Sequence, residues 1–222
     1  MQLNKHRLLG FTLTELMIAL VINAFIFLSL VNVFSANVTH YTATLNANRL
    51  NQQLQAALQL MTGDIRRAGY WSNARNDVGT NQNNNPYMAS GYDISVGGTG
   101  NSCILLSYDR NSNGSLPLIT STADDERYGY RLSNQAIQAR PWGATYSCTA
   151  PATNWENMTD TTIVNITSLT FTLNSKSVAV SGSGNILVRS VDITVTGSLV
   201  IDPTVTKTLT QHIKIRNDKY VP

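Results

Sequence analysis

Glu15 is the residue whose position most needs a chemical explanation. It stands one residue before an apolar run from Leu16 to Phe34 and four residues after Phe11. A carboxylate carried into a membrane there costs roughly 3 kcal/mol unless a cation or hydrogen-bond donor meets it. Cys103 and Cys148 are a second candidate, because an even cysteine count in an exported chain favours a disulfide, with a cytosolic thiol pair as the alternative. Such a bond would tie the first strand to the loop from Pro141 to Pro151 and contribute about 3 to 4 kcal/mol on chain-entropy grounds. A third is DRNSNG, Asp109 to Gly114, which fits the D-x-N-x-N-G opening of a calcium loop with oxygen donors at Asp109, Asn111 and Asn113. Position twelve is Thr120 where a bidentate Glu belongs, and Pro117 disfavours a helical exit, so Asp124 or Glu126 would have to complete the site. The competing reading is an Asx-rich turn after a strand ending at Tyr108.

Catalysis finds little to build on. His6, His40 and His212 are scattered, and the sequence carries neither G-x-S-x-G nor a Cys/His arrangement. Asp124, Asp125 and Glu126 are adjacent in a polar stretch and read as a solvated turn. The expectation is therefore a protein that is not an enzyme and holds no cofactor, calcium aside.

The elements that position these residues begin with a basic opening, MQLNKHRLLG, and the apolar run. At about 19 residues that run is long enough to cross a bilayer as a helix, longer than the h-region of a cleaved signal peptide. Lys5, His6 and Arg7 precede it and no basic residue follows until Arg49, which places the N-terminus in the cytoplasm and the rest outside. Helical spacing continues through Leu50, Leu54, Leu58, Met61, Ile65 and Ala68, giving one helix from Phe11 to about Gly69. Residues 72–101, rich in Asn and Gly with NQNNNP and GGTG, read as a long loop. Beyond them Ser102 to Tyr108, Arg127 to Leu132, Ile163 to Asn174, Ile186 to Gly197 and Val205 to Arg216 carry strand patterning, separated by turn signals such as GSGN and DP. An antiparallel sheet packed on the second half of the helix follows.

Of the 16 basic residues Lys5 and Arg7 lie in the opening segment; without it 14 basic face 13 acidic side chains. That balance supplies no cluster for nucleic acid. With charged residues at only 13% and abundant Asn, Ser and Thr, the composition suits an exported β-rich head.

G-F-T-L-T-E-L, Gly10 to Leu16, resembles the processing site of type IV prepilins and of type II secretion pseudopilins. The resemblance implies cleavage between Gly10 and Phe11 by prepilin peptidase on the cytoplasmic side, N-methylation of Phe11, and pairing of Glu15 with the N-terminal amine of a neighbouring subunit during assembly. DIRRAGYWSN, Asp64 to Asn73, and IKIRND, Ile213 to Asp218, further resemble the PilW type of minor pilin; the middle of the chain is matched loosely. Apart from that resemblance, Arg66 and Arg67 suit the negative end of the helix, and Tyr70 and Trp71 are expected to pack on the head.

The whole reads as an α+β protein of type IV pilin-like architecture. Residues 1–10 are the leader, 11–34 the membrane and assembly helix, 35–70 its amphipathic half, and 71–222 a periplasmic loop-rich β head. The leading expectation is an inner-membrane, single-pass minor pilin that moves to the pilus. There it would help prime assembly in a tip complex with other minor pilins, the major pilin and the inner-membrane machinery. A J-type pseudopilin and a tip-displayed adhesive or ligand-binding module are the alternatives.

Overall fold

The computed structural model describes residues 10–77, 84–117, 124–180 and 184–222. The leader before Gly10, much of the NQNNNP stretch, Thr120 and part of the GSGN turn therefore lie outside the described residues. Helix α1 spans Leu13–Arg67, two residues short of the expected span at each end. The chain divides into two units that part between Asn46 and Ala47. The first carries the apolar part of α1, where a window of mean hydropathy 2.5 has no residue buried inside the protein. It is a helix long and apolar enough to serve as a membrane anchor.

The second unit holds the rest of α1 and nine strands: β1 (Ser95–Gly97), β2 (Cys103–Ser107), β3 (Arg127–Ser133), β4 (Ala136–Ala139), β5 (Glu156–Asn157), β6 (Val164–Ala179), β7 (Asn185–Leu199), β8 (Thr206–Lys214) and β9 (Lys219–Val221). They form two antiparallel sheets rather than one. The first runs β1-β2-β3-β4-β5; the second runs β6-β7-β8, with β9 also paired to β7. The α+β class and the helix-on-sheet arrangement are as the sequence implies.

The core forms where Leu50, Leu54, Ala57, Leu58, Met61 and Ile65 line one stripe of α1 against both sheets. Ile104 and Leu106 of β2 and Ile137 of β4 meet it from one sheet, Leu169, Phe171, Val191 and Ile193 from the other. Gly197 marks the closest approach: a Cβ there would lie 3.3 Å from both Leu54 and Ile166. Strand β6 explains the partial alternation of its sequence. Val164 and Ile166 face inward, then a bulge at Thr167, between the pairs Ile166 with Gly197 and Ser168 with Thr196, shifts the phase so that Leu169 and Phe171 face inward too.

Residues 72–101 are more than a loop. Their described part includes short 3-10 turns at Ser72–Asp77, Pro86–Met88 and Thr99–Asn101, and the strand β1. Tyr87, Met88 and Ile94 are buried. Three apolar side chains spread over eight positions give no period to detect, yet suffice to seat the segment.

Candidate functional site

At the helix start Gly10 and Phe11 precede the first helical residue, and Phe11 is 88% exposed. Thr12 and Glu15 close a reciprocal pair that ends the unsatisfied run of N–H groups at the helix terminus. The Thr12 amide donates to Glu15 Oε2 at 2.9 Å, the Thr12 hydroxyl donates to the same oxygen at 2.9 Å, and the Glu15 amide donates to Thr12 Oγ1 at 3.3 Å. Glu15 thus sits at the positive end of the helix dipole, held by one neighbour of its own chain. The T-x-x-E spacing of Thr12 and Glu15 was there to be read; the resemblance drew attention to Glu15 and away from Thr12. The peptide bond after Gly10 lies outside the helix.

The helix end is the densest polar joint of the head. Asp64 Oδ1 accepts from the Tyr108 hydroxyl at 2.9 Å and from Arg67 at 2.7 Å, while Oδ2 accepts from the Tyr130 hydroxyl. Burial, then the Asp64 charge, pushes the Tyr130 hydroxyl far above its ordinary pKa, so it stays a donor. Arg67 also lies over the Tyr108 ring at 4.6 Å, and that ring stacks on Tyr128 at 4.4 Å. Gly69 then turns the chain with φ +72°, and its amide donates to the Ser107 carbonyl at 2.9 Å. The Trp71 indole donates to the Gly114 carbonyl at 2.9 Å, and the Arg216 amide to the Arg66 carbonyl at 3.1 Å. The DIRRAGYW and IKIRND stretches thus meet in one joint. Tyr70, expected to pack, is 39% exposed; it joins through its backbone, accepting from the Asp109 amide.

Asp109, Asn111 and Asn113 come together, and main-chain amides occupy one oxygen of each, while the buried Asp109 Oδ1 has no hydrogen-bond partner among the described residues. Asp109 Oδ2 accepts from Ser72 and Gly114, both at 3.0 Å; Asn111 Oδ1 accepts from Asn113 at 3.0 Å and Asn113 Oδ1 from Ser115 at 2.8 Å. The two asparagine contacts are Asx turns, and Asp109 clamps the ends of the loop to Ser72. Glu126 Oε1 accepts from the amides of Arg110 and Asn111, and Oε2 from the Tyr87 hydroxyl. Among the described residues no three His, Cys, Asp or Glu side chains are gathered as metal ligands.

The solvated turn expected at Asp124 to Glu126 is corrected. Asp124 is exposed, but Asp125 and Glu126 are wholly buried. Asp125 Oδ1 meets Arg127 Nε at 2.9 Å; its Oδ2 meets Arg140 at 2.7 Å and the Gly143 amide at 2.8 Å. Burial works to raise its pKa, and Arg140, Arg127 and the Gly143 amide together outweigh burial, leaving it below the ordinary carboxylate value. Arg127 is two residues away, but Arg140 and Gly143 come from beyond the next two strands, so a local reading of three adjacent acids finds only part of the cage.

Cys103 and Cys148 are bonded, and the bond ties β2 to the 141–151 loop. Arg131 secures that loop again, donating to the carbonyls of Cys148 and Ala150 and lying over the Trp155 ring at 4.4 Å. His40 lies on α1, and His212 pairs with Asp192 at 2.6 Å on the exposed face of the second sheet.

Residues 43–215 match the family model described as prepilin peptidase-dependent protein B, which is well over half of the chain. The chain belongs to the prepilin peptidase-dependent protein B family. Curated proteins and solved structures were compared as well, and none matches it significantly. The prepilin peptidase-dependent protein B match begins inside α1, after the apolar run, and covers the Asp64 joint, the Asx turns, the buried Asp125 pair and the disulfide. Gly10, Phe11 and Glu15 lie outside it. The G-F-T-L-T-E stretch and the family match are therefore two separate signals for a processed, pilin-related protein.

Proposed function

We propose that this chain is a minor pilin. Prepilin peptidase cuts it between Gly10 and Phe11, Phe11 is N-methylated, and α1 holds the subunit in the inner membrane with the head in the periplasm until it enters a type IV pilus. There it acts in assembly, priming growth in a tip complex with other minor pilins, rather than in catalysis. One observation carries the reading: G-F-T-L-T-E directly before an apolar helix, in a chain whose residues 43–215 independently match a prepilin peptidase-dependent family. The PilW-like stretches DIRRAGYW and IKIRND favour a pilus subunit over a J-type pseudopilin of type II secretion. Thr12 and Glu15 add a physical basis: a carboxylate held only by a neighbouring hydroxyl and amide is free to exchange those donors for the amine of an incoming subunit.

The deciding experiment is deletion of the gene, with surface pili counted by electron microscopy and secreted enzymes assayed, then rescue by wild type or by Glu15→Val. Loss of pili with secretion intact, restored by wild type and not by Glu15→Val, is expected. Normal pili with enzymes retained in the periplasm would assign the chain to the secretion pseudopilus instead.

A further inference from the structure

The second sheet ends in an open edge. Strand β8 pairs with β7 on one side and is the last strand of its sheet. The Ile215 amide donates inward to Arg189 of β7, whereas the next amide, Arg216, points the other way, to Arg66 of α1. Alternation along an antiparallel strand then directs the main-chain groups of Gln211, Leu209 and Lys207 at β7. Those of Lys214, His212, Thr210 and Thr208 point out of the sheet. Alongside this edge runs a groove of about 580 Å³, with Gln55, Gln59, Thr62 and Arg66 of α1 on one wall and Leu209 and Gln211 on the other. Its walls are polar, with Leu58 and Leu209 supplying apolar patches.

Basic side chains line this edge, with the acids Asp202 and Asp218 only in the turns at its two ends. Arg66, Lys207, Lys214 and Arg216 are exposed, and among the described residues none forms an ion pair. Lys176 and Lys214 share a neighbouring hollow of about 300 Å³ on the sheet face. The acid of that face, Asp192, is already held by His212 and Asn174. Lysines on a strand edge repel a like-charged strand. The other outer strand of this sheet, β6, carries Lys176 and no acid over residues 172–179, so edge pairing between two copies of this chain is opposed.

We infer that β8 with the α1 groove is a docking edge for an acidic segment of another protein, added in extended form as a further strand of the sheet. The outward main-chain groups, of which the His212 carbonyl now accepts only from the Gln211 side-chain amide at 3.2 Å, select a polypeptide, because they match the hydrogen-bonding repeat of a strand and of no other polymer. The unpaired basic side chains select an acidic one.

The test uses the full-length protein in the cells that make it, with a photo-crosslinking amino acid at Gln59 in the groove and, as a control, at Thr194 on the sheet face. Crosslinks from Gln59 are expected to map to one acidic, extended segment of a different protein, well above the Thr194 control. Thr210→Pro removes an amide that bonds nothing within the chain, so the head keeps its melting temperature while the crosslink yield falls about fivefold, as loss of a strand hydrogen bond implies. Should the proline lower stability, Lys207→Glu with Lys214→Glu provides the second reading, with the same loss expected. Gln59 crosslinks no stronger than the control, crosslinks to nucleic acid, lipid, a second copy or a non-acidic segment, or a yield unchanged in folded Thr210→Pro, would each overturn the inference.

Discussion

Two carboxylates separate the helix start from the head. Asp125 is wholly buried, and its chain surrounds it with two arginines and an amide. Glu15 is exposed, and among the described residues only Thr12 holds it. The same contrast holds for apolar groups: no residue from Phe11 to Leu45 is buried, while the stripe from Leu50 to Ile65 is covered by two sheets. The head supplies both halves of its interactions. The helix start supplies one half, which is what the proposed passage from membrane to fibre asks of it.

Perturbing the head should therefore register as lost stability, and perturbing the helix start as lost assembly. The largest effect expected is for Asp125→Ala, which strands two buried arginines and should cost about 3 to 5 kcal/mol, measured as thermal unfolding of the full-length protein in detergent micelles. Asp125 also sets a pH dependence. Its folded pKa lies below the unfolded value of about 3.9, so its contribution is complete above that value and is lost as pH falls through the folded pKa. The melting temperature of wild type should drop on acidification below about pH 4, and that of Asp125→Asn should drop less.

Next comes Cys103→Ser with Cys148→Ser, at about 3 to 4 kcal/mol, checked by chemical denaturation without reductant. Asp64→Ala leaves the buried Tyr130 hydroxyl without its acceptor and should cost about 1 to 3 kcal/mol in the same assay. Glu15→Gln should leave the unfolding of the head unchanged while abolishing incorporation into fibres. A large shift in head stability from Glu15→Gln would erase the distinction between the two regions. Smallest is calcium: with Asp109 Oδ2, Asn111 Oδ1 and Asn113 Oδ1 bonded to amides and no three acidic or His/Cys ligands gathered among the described residues, adding EDTA and then calcium should move the melting temperature by less than about 1 °C. A clear rise with calcium would show that these turns open to a cation.

What the sequence disclosed was what repeats locally. The stripe from Leu50 to Ile65 and the long strands β6, β7 and β8 carry their pattern within a few neighbouring residues. Strand β4 reads Ala-Ile-Gln-Ala, β5 has two residues and β9 three, so their pairing with β3, β4 and β7 leaves no period behind. Asp125 and Glu126 looked solvated because, Arg127 apart, the groups that hold them, Arg140, Gly143, Tyr87 and the amides of Arg110 and Asn111, lie outside any local window. Gly10, Phe11 and Glu15 stand out in the sequence for another reason. The proposed processing site would be read by a second protein in an unfolded stretch, so its information would be sequential. The docking edge of β8 was not legible, since free main-chain groups have no side-chain signature.

The bulge at Thr167 constrains how this chain can change over evolutionary time. Loss of Thr167 would leave Ile166 opposite Gly197 and Ser168 opposite Thr196 in unbroken alternation, with Leu169 and Phe171 still facing inward, so a single-codon deletion there would be tolerated. Loss of Thr170 would instead turn Phe171 out to solvent and Thr172 into the core, so a deletion three residues further along the same strand would be purged. Insertions of several residues in surface turns elsewhere would persist.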